Sequence, residues 1–140
     1  VNKIVTIESS GIGLACITAQ FFNCKVVFAR KSKSSNMSND VYSSTAYSYT
    51  HKTTNNVIIS KEYLTKDDNV LLIDDFLANG EATKALIDLL NQAGATLKGV
   101  AIAVEKGFQG GGDKLREQGV DLLSLAIVDK MDENGITFRS

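Results

Sequence analysis

The order of apolar and polar positions divides the chain into short unbroken apolar runs and longer stretches with apolar residues three and four apart. Runs of the first kind are KIVTI at 3–7, KVVFA at 25–29, VLLI at 70–73, GVAIAV at 99–104 and LLSLAIV at 122–128. Their β-branched and aliphatic character suits strands buried on both faces, the habit of parallel sheets. The second kind predicts a helix over 11–22, with Ser9 or Ser10 as its cap. It also predicts an amphipathic helix over 81–92, stopped by Gly94. A shorter helix is expected over 113–118, and DENG at 132–135 reads as a turn returning the chain into 136–138. Between the second and third strands, residues 34–56 are rich in Ser, Thr, Asn and Tyr, which predicts a mobile loop leading into an exposed hairpin. Strands alternating with helices imply one α/β domain over 1–140, a central mostly parallel sheet flanked by helices.

Composition narrows the class of function. With 44% apolar and 22% charged residues the chain has the make-up of a folded domain, which excludes disorder and collagen. Fifteen Lys and Arg against sixteen Asp and Glu leave a net charge of −1, which argues against nucleic acid or a membrane surface as partner. No apolar run approaches the roughly 20 residues of a membrane helix, and no basic-then-apolar leader pattern opens the chain. A cytoplasmic protein is therefore expected. Cys16 and Cys24 lack CxxC spacing and lie in or beside apolar sequence, so buried reduced thiols are expected. Proline is absent, where average usage predicts about seven.

In an open parallel sheet ligands bind beyond the carboxyl ends of the strands, so the residues following each run are the candidates. The apolar run at 70–73 stops at Asp74 and Asp75, with a turn expected over 76–80. Adjacent carboxylates repel, an arrangement suited to receiving hydroxyls or a metal ion; the plainer reading has Asp75 capping the turn and Asp74 solvated. Ala78, Asn79, Gly80, Glu81, Ala82 and Thr83 open the amphipathic helix, where backbone N–H groups and the helix dipole make a phosphate cradle or simply a cap. Glu8, Ser9, Ser10 and Gly11 offer a second anion loop or an ordinary N-cap. Arg30 and Lys31 read as a solvated strand exit or as partners for pyrophosphate. Lys106, followed by Phe108, is either a surface lysine beside a core ring or a cation beside a stacking ring.

The segment VLLIDDFLANGEAT at 70–83 resembles the phosphoribosyl pyrophosphate (PRPP) motif of type I phosphoribosyltransferases. KIVTIESSGI, VVFARK, IDDFLANG, QAGA and VEKGFQ, in this order, resemble the bacterial xanthine-using branch of that family along nearly the whole chain. The resemblance implies the type I fold with a flexible β-hairpin loop, and transfer of phosphoribosyl from PRPP, as its Mg2+ complex, to xanthine in a cytoplasmic homodimer. It assigns the 5′-phosphate to residues 78–83, the ribose hydroxyls to Asp74 and Asp75, and the pyrophosphate to Glu8, Ser9, Ser10, Gly11, Arg30 and Lys31. The purine falls to Lys106 and Phe108, and Mg2+ is held mainly through PRPP rather than by protein ligands. The family's amino-terminal hood helices are expected to be missing ahead of Val1, with xanthine turnover reduced accordingly. A PRPP-binding regulatory module without catalysis, and an inactive engineered scaffold of the same fold, are the alternative readings.

Overall fold

The β-branched run Lys3–Ile7 forms strand β1, and its two parallel neighbours set the frame. Strand β2 (Lys25–Ser32) lies on one side and β5 (Asn69–Leu77) on the other. The structure, a computed structural model, describes residues 1–32 and 39–140. Strands β6 (Thr96–Lys106) and β7 (Leu122–Asp132) extend the parallel block beyond β5. Three strands are added at the edges by antiparallel pairing: β4 (Thr53–Ser60) on β2 and β3 (Val41–Ser48) on β4, and β8 (Gly135–Phe138) on β7. The eight strands form one sheet in the order β3-β4-β2-β1-β5-β6-β7-β8, the mostly parallel α/β sheet that the periodicity predicts.

Alternation along the strands sends residues to two unequal layers. Val5, Ile7, Val70, Leu72, Val100 and Ile102 face the main core. There they pack on Leu86, Leu89 and Leu90 of helix α2 (Glu81–Ala93) and on Leu115 of helix α3 (Gly111–Glu117). On the opposite face Ile4 and Ile73 meet Ala15 and Ala19 of helix α1 (Gly11–Phe22). That helix buries its small residues Gly11, Ala15 and Ala19, spaced four apart, and turns Ile17 and Phe21 outward at 61% and 86% exposure. Small residues let the helix lie close to the strands. Helix α1 covers β1, β2 and β5 but leaves the same face of β6 and β7 bare, so Leu123 and Leu125 are 65% and 81% exposed. A groove of about 160 Å³ separates Leu14 and Thr18 from Ala101, Ala103 and these two leucines.

Several expected boundaries move. Strand β5 continues through both acids to Leu77, so the turn occupies only residues 78–80. Strand β2 runs on to Ser32, because Arg30, Lys31 and Ser32 pair antiparallel with Ile58, Val57 and Asn56 of β4; these cations are strand residues, not an exit loop. The hairpin expected within the polar segment is found as two eight-residue strands, β3 and β4, that run on to Ser60, and residues 34–38, where the loop was expected, lie outside the described residues. The base of this hairpin is stitched to α2: Gln92 Nε2 donates to the Ser43 carbonyl at 2.7 Å, and Gln92 Oε1 accepts from the Ser43 N–H at 3.4 Å. Both cysteines are free, but Cys16 is exposed on the outer side of α1 rather than buried. Among the described residues no helix is long and apolar enough to cross a membrane.

The layering predicts unequal responses to truncation. Leu89→Ala, at a site with no exposure, should lower unfolding free energy in urea by about 2–5 kcal/mol. Leu125→Ser, on the bare face, should change it by no more than about 0.5 kcal/mol. Similar losses in the two variants would contradict the assignment of faces.

Candidate active site

The parallel pairing of β1 with β5, and of β5 with β6, delivers three carboxyl-terminal loops to one edge of the sheet. At the end of β5 the turn Ala78-Asn79-Gly80 leads into α2. Gly80 is the N-cap at φ 86°, a left-handed conformation that glycine adopts without a Cβ clash. Because the cap has no side chain, no side-chain oxygen satisfies the first N–H groups of α2, which face outward with the positive end of the helix dipole. Ala78, Asn79, Gly80, Glu81, Ala82 and Thr83, the six residues predicted for the phosphate end, all line one cavity of about 400 Å³. Lys106 from β6, Phe76 from β5 and Tyr47, Tyr49 and Thr50 from the hairpin complete much of its wall. The tyrosine rings meet edge to face at 4.8 Å between centroids.

The two acids before this turn are in different electrostatic states. Asp74 is 8% exposed, and burial, reinforced by the neighbouring Asp75, pushes its pKa up to about 7. The hydrogen bond it accepts from the Asp75 backbone N–H at 2.9 Å and the charge of Lys31 oppose that shift without cancelling it. Asp75 is also raised by burial, but hydrogen bonds from the Ser10 hydroxyl, Asp74 and the Phe76 backbone N–H outweigh this and hold it below the usual carboxylate range. Phe76 N–H donates to Asp75 Oδ1 at 2.8 Å. Ser10 is the N-cap position of α1, where no side chain caps the helix, and its hydroxyl is the foremost group lowering the Asp75 pKa. Ser10 thus joins the first loop to the acid pair.

That first loop, Glu8, Ser9, Ser10 and Gly11, sits beside the end of β2. Glu8 Oε1 accepts from the Lys31 backbone N–H at 2.6 Å, and Glu8 N–H donates to the Ala29 carbonyl at 3.0 Å. The Glu8-Ser9 peptide is cis. Gly11 has no room for a Cβ, which would meet the buried Thr6 hydroxyl and lie 3.0 Å from Asp74 Oδ1. Arg30 and Lys31 are brought to this loop by β2, at the foot of the hairpin. None of these residues, nor either acid, lines the 400 Å³ cavity, so the candidate site has two neighbouring parts.

At the far wall, Lys106 Nζ stands 5.5 Å from the centroid of the Phe76 ring. Phe108, expected beside Lys106, lies in a single 3-10 turn (Gly107–Gln109), is 48% exposed and is not among the lining residues. Phe108 stays outside the lining, whereas the extra length of β5 brings Phe76 into it. Sequence reasoning passed over Phe76 because it placed the residue in a turn after the acids. It also gave no role to Glu105, which is fully buried against Arg116 and Ser124. A glutamate closing the apolar run GVAIAV was the available signal.

Residues 2–133 match the family described as Phosphoribosyl transferase domain. The chain belongs to the phosphoribosyl transferase family. A xanthine phosphoribosyltransferase of Bifidobacterium adolescentis is 60% identical over 100% of this chain and 74% of its own length. One from Lachnoclostridium phytofermentans is 54% identical over 99% of the chain and 73% of that relative. Identity of this order over nearly the whole chain places it in the xanthine phosphoribosyltransferase branch. Among solved structures, the adenine phosphoribosyltransferase of Giardia lamblia complexed with 9-deazaadenine superposes with a TM-score of 0.78 at 29% identity. The match covers 91% of this chain and 69% of that one. The type I phosphoribosyltransferase fold expected from the motif is the fold found.

The unequal acids predict a pH signature. Asp74 stays protonated in the folded state to about pH 7, while in the unfolded chain it ionises near its ordinary value of 3.8. The folded state therefore binds the extra proton between those values, and its stability falls as pH rises through that window. The total is about 4 kcal/mol at most. Asp74→Asn, which can still accept from the Asp75 N–H, should gain stability over the parent progressively from pH 4 to 7 in urea unfolding. A difference that does not change with pH would show that Asp74 is ionised throughout.

Proposed function

We propose that this member of the family transfers the phosphoribosyl group of PRPP to xanthine, giving xanthosine monophosphate and pyrophosphate as a purine-salvage enzyme. The observation that carries the reading is the 400 Å³ cavity, bounded by the uncapped start of α2 at one end and by Lys106 over Phe76 at the other. Its volume lies in the range of small-ligand sites. Backbone N–H groups at residues 80–83 receive the 5′-phosphate. Asp74 and Asp75 take the ribose hydroxyls. Glu8, Ser9, Ser10 and Gly11 hold the pyrophosphate by their backbone and hydroxyl groups, with Arg30 and Lys31 supplying counter-charge.

The reaction breaks the bond between the anomeric carbon and a pyrophosphate oxygen and forms a bond from that carbon to a purine nitrogen. Positive charge develops on the sugar as pyrophosphate leaves, and the lasting negative charge of Asp75, on the strand that leads into the phosphate turn, stabilises it. Asp74, poised about pH 7, can accept a hydroxyl or donate to one. Xanthine is acidic enough to bind as an anion, so Lys106 is its counterion and Phe76 its apolar neighbour. Mg2+ would be held mainly through PRPP oxygens, with Asp75 as a protein carboxylate. Bound there, Mg2+ neutralises charge on the departing pyrophosphate. The proposal extends to a homodimer working in the cytoplasm, which rests on the family resemblance.

Incubation with PRPP, Mg2+ and each of xanthine, guanine and hypoxanthine should yield nucleotide and pyrophosphate in equal amounts, fastest with xanthine. Absence of product from all three would overturn the reading. Lys106→Ala should raise the xanthine KM about tenfold or more, the loss of a charged hydrogen bond of about 1.5–3 kcal/mol, and leave the PRPP KM nearly unchanged. Asp75→Asn should instead lower kcat by about a hundredfold.

A further inference from the structure

Burying a carboxylate costs hydration that a partner cation, here Arg116 with 31% of its side chain exposed, repays only in part, and an apolar side chain of similar volume often serves as well or better. A pair kept in such a place and tied to a site by close backbone contacts therefore invites a geometric explanation. Glu105 is fully buried one residue before Lys106. Arg116 of α3 grips it as a fork, with Nη2 donating to Oε1 at 2.7 Å and Nη1 to Oε2 at 2.9 Å, and the Ser124 hydroxyl of β7 donates to Oε1 at 2.7 Å. Burial alone would raise the Glu105 pKa, but these donors more than offset it and keep the group ionised.

The same short helix touches the phosphate end. Gly111 N–H donates to the Ala78 carbonyl at 3.1 Å, and a Cβ on Gly111 would lie 2.5 Å from the Asn79 carbonyl carbon and 2.7 Å from Gly80 N. A Cβ on the next residue, Gly112, would overlap the Glu105 carboxylate. The first residue of α3 thus rests on the phosphate turn and its second on Glu105, while its sixth clamps Glu105 in place. Outside this pair, Asp113 accepts from Arg116 at 3.3 Å and from Arg139 at 2.9 Å, which ties the exposed side of α3 to the residue that follows the chain's last strand.

We propose that Arg116 and Glu105 are positioning residues that fix the distance between the phosphate turn at 78–80 and Lys106, so that one nucleotide can reach both. The inference rests on the functional reading above, which assigns those two ends to one ligand. The two-point fork matters here, because it fixes the orientation of α3 as well as its distance. Lysine would keep the charge and lose the orientation.

Calorimetry with two ligands tests this without turnover. Ribose 5-phosphate occupies the phosphate end alone, whereas xanthosine monophosphate spans both ends. In Arg116→Lys, affinity for ribose 5-phosphate should stay within about threefold of the parent, and affinity for xanthosine monophosphate should fall about tenfold or more. Misplacement by about 1 Å is enough for losses of this order or greater. Ser124→Ala, which removes one donor and no charge, should shift the same ratio in the same direction by less. A double variant, Glu105→Met with Arg116→Met, should recover thermal stability without recovering the spanning ligand. Equal loss of both ligands, loss of neither, or full recovery in the double variant would overturn the proposal and leave the pair as packing. A parent chain that binds neither ligand would overturn the functional reading and this inference with it.

Discussion

Parallel pairing at the centre of the sheet is the constraint on which the rest depends. Three register pairs, Lys3 with Val70, Ile4 with Leu71 and Val5 with Leu72, hold β1 beside β5 in the same direction. Parallel strands must each be followed by a crossover, so their carboxyl ends and the loops that leave them share one edge. The acid pair, the glycine-capped helix start, the serine loop and Lys106 are neighbours for that reason alone, although they are spread from residue 8 to residue 106. An antiparallel neighbour in place of β1 would put the serine loop at the opposite edge from Asp75.

On that edge, chemistry is set by how much water each group keeps. Asp74 and Asp75 are adjacent and chemically identical, yet one is poised about neutrality and the other stays ionised, because Ser10 and the Phe76 backbone donate to the second. Glu105 is less exposed than either and is ionised nonetheless, since Arg116 and Ser124 supply three donors to it. Burial by itself thus predicts the state of Asp74 but not those of Asp75 and Glu105. Donor count decides, as it does for buried polar groups in general.

The apolar runs at 3–7, 70–73 and 99–104 and the amphipathic stretch at 81–92 were legible because each carries one period and one clear stop. The phosphate turn was legible as well, a glycine at the start of a helix having few other uses. Where the chain alone misled, a distant partner decided the outcome. Asp74, Asp75 and Phe76 are weak or mixed strand formers by local preference, and they extend β5 because β6 offers partners as far as Glu105. Arg30 and Lys31 look like an exit loop until β4, almost 30 residues on, pairs with them. The sequence of α1 is apolar on every side, so its periodicity could not say that alanines would face the sheet and phenylalanines the solvent. The Glu105–Arg116 pair depends on Gly112 lacking a Cβ, a contact that residue type announces but spacing does not locate.

The hairpin of β3 and β4 has the mechanics of a cantilever. Its lower part is fixed by Gln92 at Ser43, by the ladder from Arg30 to Ser32 on β4 and by core packing that reaches as far as Ala46, while Tyr47, Tyr49 and Thr50 overhang the phosphate turn. Deflection of a beam fixed at one end grows steeply with distance from the clamp. Bending that keeps the root bonds intact therefore sweeps the tyrosines over the cavity and hardly moves the two cations at the foot. The cavity has a stiff floor of helix and sheet and a compliant aromatic roof, so a ligand would find its charged contacts already placed and its cover still able to conform.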